Sequence, residues 1–263
     1  MQGLQVLRRV DWAVDRAMPS ISATSDTQTV PRSEDPSAFM FYTCDHVVLS
    51  GCLNNYCYKA WIVLNSAVLR GEALDKRRCN FSFGSKEYHV SEKFLAYHDT
   101  RWCKPEHRDQ ELFAMLVLEG MQAGVSWNLI LNKEDNFRRA FDGFDPTIVA
   151  TYGDDKLEEL MQDAGIIRNR QKLRSAINNA HAFLKVQEEF GSFDAYIWSF
   201  TNGAVIDHHL LDGADMPAKD ELSERVSKDL KKRGFTFVGP TTTYSYLQGI
   251  GVINDHWEYC DYR

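Results

Sequence analysis

From Gln110 to Gln122 the chain is apolar almost all round, with Leu112, Phe113, Met115, Leu116, Val117, Leu118 and Met121. Such a segment predicts a helix buried on most of its sides. Gly124 breaks it, and Ser126 is placed to cap a second helix that begins at Trp127. Asp154–Asp163 carries acidic residues in its first turn, and the short Ala164-Gly165-Ile166-Ile167 turn follows. A long amphipathic helix over Arg170–Glu189 then places Leu173, Ile177, Ala180 and Leu184 on one stripe. Leu222, Val226 and Leu230 mark another helix, with Gly234 in the position that ends it. Pro240 suits the first turn of a last helix running through Tyr244 and Leu247. No stretch shows clear strand alternation and no internal repeat appears, so the fold from about Cys79 onward is expected to be all-α.

The residues before that point read differently. Positions 20–37 are rich in Ser, Thr, Asp and Pro and carry almost nothing apolar, the composition of a disordered linker. Between 38 and 74 the chain is mixed, with one candidate helix from Tyr56 to Leu69. Two parts follow from this: an N-terminal extension over 1–78, partly disordered and without a motif, and a helical domain over 79–263. Asp11 and Asp15 interrupt any secretory apolar core near the start, so secretion is not expected; the same acids argue against an organellar transit peptide without closing that reading, and an appended segment fits as well. No apolar run approaches the roughly 20 residues that span a bilayer. The six cysteines are too sparse for a disulfide scaffold in 263 residues, which favours metal ligation or plain burial in a reducing compartment. A net charge of −7 argues against a protein that coats nucleic acid, although a local basic face can serve a DNA enzyme on an acidic body.

Four groups of residues carry candidate chemistry. His256 and Cys260 lie four apart near the C-terminus, while Cys79 and His98 stand near the start of the helical part. Together they form a Cys2His2 set suited to tetrahedral Zn²⁺; four protein ligands leave no place for water, so the role would be structural. Cys103 competes for the fourth place, and a buried thiol with a hydrogen-bonded histidine is the plain alternative. His208 and His209 fall in an acidic, loop-like stretch and are read as solvated. Glu119 is the one charge between Leu112 and Gly124; a carboxylate in an apolar helix needs either a cationic ligand or an internal partner. Phe94, Tyr97, Trp102 and Trp127 flank these elements; they are either core or the flat faces of a pocket for an extruded, positively charged purine. Finally, the turn at Gly165 and Ile166 opens a helix beside Arg168, Arg170 and Lys172, an arrangement able to hold a DNA phosphate. Lys231, Lys232 and Arg233 form a further basic run, read as cations complementing a helix C-terminus.

Taken together, AYHDTRW (96–102), LFAMLVLEGMQAGVSW (112–127), QDAGIIRNRQKL (162–173), IWSF (197–200), KKRGFTFVGPTTTYSYLQGIGVINDH (231–256) and Cys260 resemble the 3-methyladenine DNA glycosylase I family. The resemblance covers about residues 79–263 in order. It implies a helix–hairpin–helix fold whose termini are joined by a zinc clasp of Cys79, His98, His256 and Cys260. It further implies Glu119 in the base pocket, Tyr97 and Trp127 stacking on the base, Trp102 lining the pocket or its mouth, and Gly165 with its neighbours gripping double-stranded DNA. The activity implied is hydrolysis of the N-glycosidic bond of 3-methyladenine during base excision repair, by a monomer. The compartment would be cytoplasm or nucleoid in a bacterium, nucleus or organelle in a eukaryote. Two positions depart from the family: the Cys79–His98 stretch is longer than usual, and Phe94 stands where a tyrosine is common. These departures leave room for a non-catalytic protein that binds alkylated DNA. A zinc hydrolase with a catalytic metal is disfavoured by four filled ligand positions and the lack of an HExxH arrangement.

Overall fold

The computed structural model describes residues 76–79, 90–211 and 215–263. The expectations for the linker at 20–37 and the helix from Tyr56 to Leu69 therefore lie outside the described residues. All described residues belong to one unit, Asp75–Arg263.

Ser91 opens the first described helix, α1 (Glu92–Thr100), its side chain accepting from the Phe94 amide. The Ser91 hydroxyl and amide both donate to Asn128 Oδ1, which fastens the start of α1 to a later helix. Next comes α2 (Asp109–Gln122), buried from Leu112 to Glu119 and at Met121, as its all-round apolar pattern predicts. Gly124 turns the chain with a φ of +81°, and Ser126 caps α3 (Trp127–Ala140) by accepting from the Leu129 amide. A 3₁₀ turn (Asp142–Phe144) and the short α4 (Pro146–Val149) lead to α5 (Asp154–Gln162).

The longest helix, α6 (Arg170–Phe190), is capped by the Asn169 side chain and ends at Gly191 in the left-handed region. After α7 (Phe193–Ser199), α8 (Glu221–Lys232) opens on a reciprocal capping box between Asp220 and Ser223. Gly234 follows α8 with a φ of +95°, as expected of the residue that ends it. The last helix, α9 (Pro240–Gly249), has proline in its first turn. Helix α2 sits at the centre, packed against α3, α6, α7 and α9.

The all-α expectation needs one amendment. Ile206–Asp207 (β1) and Ile253–Asn254 (β2) pair in parallel, two residues each. Alternation cannot reveal a strand of two residues, so periodicity had nothing to detect. The pair matters because it fixes the C-terminal loop just before His256. A second constraint acts on the same loop: at Gly251 (φ +73°) a Cβ would lie 2.2 Å from the Lys104 carbonyl carbon. Only glycine lets this loop press against the segment after α1, where the Cys103 amide donates to the Gln248 carbonyl and the Glu106 amide to the Ile250 carbonyl.

Candidate active site and metal centre

Helix α1 presents two chemistries on adjacent positions. Tyr97 looks into a pocket of about 190 Å³, and His98, which also borders it, turns towards the C-terminus of the chain. The pocket lies between α1, α2, α9 and the start of α3. Phe94, Tyr97, Trp102 and Trp127 supply rings, and Glu119 supplies a carboxyl group. All five pocket residues singled out from the sequence are thus brought together. Tyr97 and Trp127 meet edge to face with ring centroids 5.4 Å apart. Gly249 lets α9 close on this wall, since a Cβ there would lie 2.9 Å from Met115 Sδ and 3.2 Å from the Tyr97 hydroxyl.

Glu119 is 4% exposed, and its Oε2 has no hydrogen-bond partner among the described residues. Desolvation pushes its carboxyl from the usual 4.5 up to about 8. Among the described residues, no ion pair to Glu119 is found, so the alternative of an internal partner is not met there. Without a counter-charge, burial keeps the proton on Glu119 at neutral pH, so ionisation requires a cation inside the pocket.

Three pocket residues escaped the sequence reading: Gln122, Ser245 and Gln248. Gln122 stands three positions after Glu119 on α2, and Ser245 and Gln248 are three apart on α9, so helical spacing was the available signal. Gln248 is anchored from behind. Its Nε2 donates to Asp255 Oδ2 at 2.6 Å, and the fully buried Asp255 also accepts from the Tyr244 hydroxyl at 2.6 Å. Asp255 Oδ1 lies 2.7 Å from His208 Nδ1, so His208 is half-buried and paired rather than solvated, while His209 is exposed beside Glu258.

The other face of α1 meets the C-terminal loop. Cys79, His98, His256 and Cys260 are all buried, with their ligand atoms within 4.8 Å of one another, and this cluster could hold a metal ion. Cys79 Sγ lies 3.6 Å from His256 Nδ1, and Cys260 Sγ 3.8 Å from His98 Nε2. Each imidazole has its second nitrogen occupied: His98 Nδ1 donates to Asp99 at 2.8 Å, and His256 Nε2 to the Trp102 carbonyl at 3.1 Å. Those contacts fix the tautomers and turn the lone pairs towards the sulfurs. Asp99 is in turn gripped by Arg78, and the Trp257 amide donates to Cys79 Sγ. Contact with Cys79 pulls the Cys260 thiol well below its ordinary value and pushes Cys79 up, so the pair favours a thiolate. Cys103, the competitor for the fourth ligand, is buried elsewhere and accepts from the Asp255 amide.

The turn between α5 and α6 corrects part of the phosphate reading. Lys172 is buried; its Nζ donates to the carbonyls of Met121 and Ala123, holding the C-terminus of α2. That ammonium is engaged inside the fold and is not available to DNA. Ile166 is likewise a core residue. Arg170 pairs with Glu158 on the surface, and Arg168 is exposed. Gly165 is required, because a Cβ would come within 2.8 Å of Asp163 Oδ1, the oxygen that accepts from the Gly165 amide. Of the basic run after Leu230, Lys231 and Lys232 lie exposed in the last turn of α8, and Arg233 is bonded to Glu189 and Asp229.

Residues 88–263 match the model of the methyladenine glycosylase family. The chain belongs to this family. It is 43% identical over 163 residues to DNA-3-methyladenine glycosylase 1 of Escherichia coli K12, covering 62% of this chain and 87% of that protein. A crystal structure of a 3-methyladenine DNA glycosylase I superposes with a TM-score of 0.65 at 39% identity, covering 70% of this chain and 98% of the other. The Staphylococcus aureus enzyme, solved to explain its recognition of 3-methyladenine, gives 0.66 at 35% identity over 69% and 94%. The family match takes in the whole pocket and three of the four cluster residues; Cys79 lies before it.

Proposed function

We propose that this protein is a DNA glycosylase that hydrolyses the N-glycosidic bond of 3-methyladenine in alkylated double-stranded DNA. One observation carries the reading: a buried carboxyl group, unpaired at Oε2, in a pocket walled by aromatic rings. An unpaired buried carboxyl is costly unless a cation completes it. N3-alkylated adenine in DNA is such a cation, and it leaves the sugar as a neutral base, so no strong general acid is needed. Tyr97 and Trp127 stack on the extruded base, Phe94 and Trp102 close the sides, and Glu119 gives up its proton to solvent as the cation arrives. Its negative charge then holds the ring edge and favours the positive charge that develops on the sugar. The work of these groups is to orient the base and exclude water from its face, while a water adds to C1′ of the sugar as the neutral base leaves and gives its proton to solvent.

Zinc is the metal proposed for the cluster. Tetrahedral bonds of about 2.3 Å to sulfur and 2.0–2.1 Å to nitrogen place S and N roughly 3.6 Å apart, and the two separations in the cluster are 3.6 and 3.8 Å. Cys79, His98, His256 and Cys260 would fill all four positions, so the metal would tie the start of the domain to its end without taking part in hydrolysis. Helices α5 and α6 with the Gly165 turn would form the helix–hairpin–helix grip, with Arg168 as its exposed cation. One chain builds the whole pocket, so a monomer suffices.

The test is release of free base from methylated duplex DNA, separated by chromatography. A 3-methyladenine peak with little 7-methylguanine supports the proposal. Binding without release would identify a non-catalytic reader of alkylated DNA, with the missing hydroxyl at Phe94 the first suspect.

A further inference from the structure

The pocket is polar on a second side, and that side is held rigid. Gln248, on α9, lines it together with Glu119. A glutamine amide has two ends of similar shape, a donor NH₂ and an acceptor carbonyl, and either can face a ligand. Here the choice is made from behind. Asp255 is fully buried and accepts from Tyr244, from Gln248 Nε2 and at His208. A carboxylate surrounded by donors offers only acceptors, so the amide must turn its NH₂ to Asp255. Reversing it would set Oε1 against Asp255 Oδ2 at 2.6 Å. The second contact of Nε2, to Met216 Sδ at 3.5 Å, holds the same orientation. Among the described residues, no donor reaches Gln248 Oε1.

We infer that Gln248 is a specificity residue: Asp255 locks its amide so that Oε1 faces the base, and the pocket thereby selects a purine with an exocyclic amine over one with a carbonyl at that edge. The inference rests on the glycosylase reading. Adenine carries an N6 amine donor where guanine carries the O6 acceptor. Oε1 is an acceptor whatever the protonation of Glu119, so the amine is matched and the carbonyl is left facing a lone pair. Sites that must leave a polar group unpaired to accept the wrong ligand discriminate far better than sites that sense shape alone. Asp255 touches no substrate; it is a positioning residue.

The decisive experiment has a chemical arm and a genetic arm. In the first, intrinsic tryptophan fluorescence of the wild-type protein follows binding of 3-methyladenine and of 3-methylhypoxanthine, which differs by a carbonyl in place of the amine. Binding at least tenfold weaker for 3-methylhypoxanthine is expected, and equal affinities overturn the inference. In the second, release of 3-methyladenine and 3-methylguanine from one methylated DNA is followed for wild type, Gln248→Met and Asp255→Asn. The side-chain amide introduced by Asp255→Asn can donate as well as accept, so it frees the Gln248 amide to turn over. Both variants should lose about tenfold in the ratio of the two rates. A purely structural role would lower both rates together and leave the ratio unchanged, which overturns the inference alone. Wild-type protein that releases no base removes the glycosylase reading, and this inference with it.

Discussion

The two faces of α1 place polar groups in the same apolar surroundings and treat them in opposite ways. On the His98 face three of the four ligand groups have a named partner beyond the cluster: Asp99 and Arg78 behind His98, the Trp102 carbonyl behind His256, the Trp257 amide on Cys79. On the Tyr97 face, Glu119 Oε2 is left without one. A satisfied buried network specifies a structure, whereas an unsatisfied buried group stores a demand that a ligand can meet. The contrast separates the Cys/His cluster from the pocket although they share a helix.

Breaking the proposed clasp should have the largest effect. If the cluster holds zinc as proposed, Cys260→Ser is expected to abolish zinc binding, measured by elemental analysis, and to lower the melting temperature by on the order of 10 °C. Chelation of the wild type should do the same. If the chelated protein melts normally, the cluster is not a structural metal site.

Changing the pocket should act on turnover and leave the fold intact. Glu119→Gln is expected to reduce base release by about 100-fold or more, while stability moves the other way. Glu119 holds its proton up to about pH 8 in the folded chain against an ordinary value of 4.5. Between these values the folded state binds more proton than the unfolded state, so the wild type loses stability as pH rises through that window. The glutamine variant escapes this loss. Its advantage should be absent near pH 4.5 and reach roughly 2–4 kcal/mol by pH 8, read from denaturant midpoints at both pH values. Equal losses of activity and stability would sink the assignment.

Trp127→Ala sharpens the same point with a smaller effect. Loss of one stacking face should cost about 10- to 100-fold in base release, with little change in melting because Trp127 is only partly buried. The smallest effects concern the two cations of the turn. Arg168→Ala should reduce the salt dependence of DNA binding by about one unit of slope. Lys172→Met should leave that slope unchanged and cost roughly 1–3 kcal/mol of stability instead. A changed slope for Lys172→Met would return that lysine to the DNA surface.

The same contrast governs which residues could be read along the chain. Glu119 stood out because one charge in a thirteen-residue apolar run is conspicuous whatever surrounds it. The helix starts at Ser126 and Pro240 and the stop at Gly234 were legible because capping is local chemistry. Lys172 was misread for the opposite reason: a lysine in the first turn of a helix looks the same whether it faces solvent or the carbonyl end of another helix fifty residues earlier. Gln248 and Asp255 were invisible as a pair, since neither is unusual until α9 and the loop after it fold back.

By itself, then, the sequence determined α2, α3, α5, α6, α8 and α9, but not α1, α4 or α7. It also determined the cap at Ser126, the breaks at Gly124 and Gly234, the buried acid, and which soft ligands were available for a metal. These depend on periodicity and on residues a few positions apart. The tertiary structure alone decided that Cys103 stays outside the cluster, that Lys172 holds α2, that Glu119 has its Oε2 unpaired and that Asp255 turns the Gln248 amide. Those outcomes depend on which polar atoms come within about 3 Å of one another after distant segments pack, and no local pattern encodes that distance.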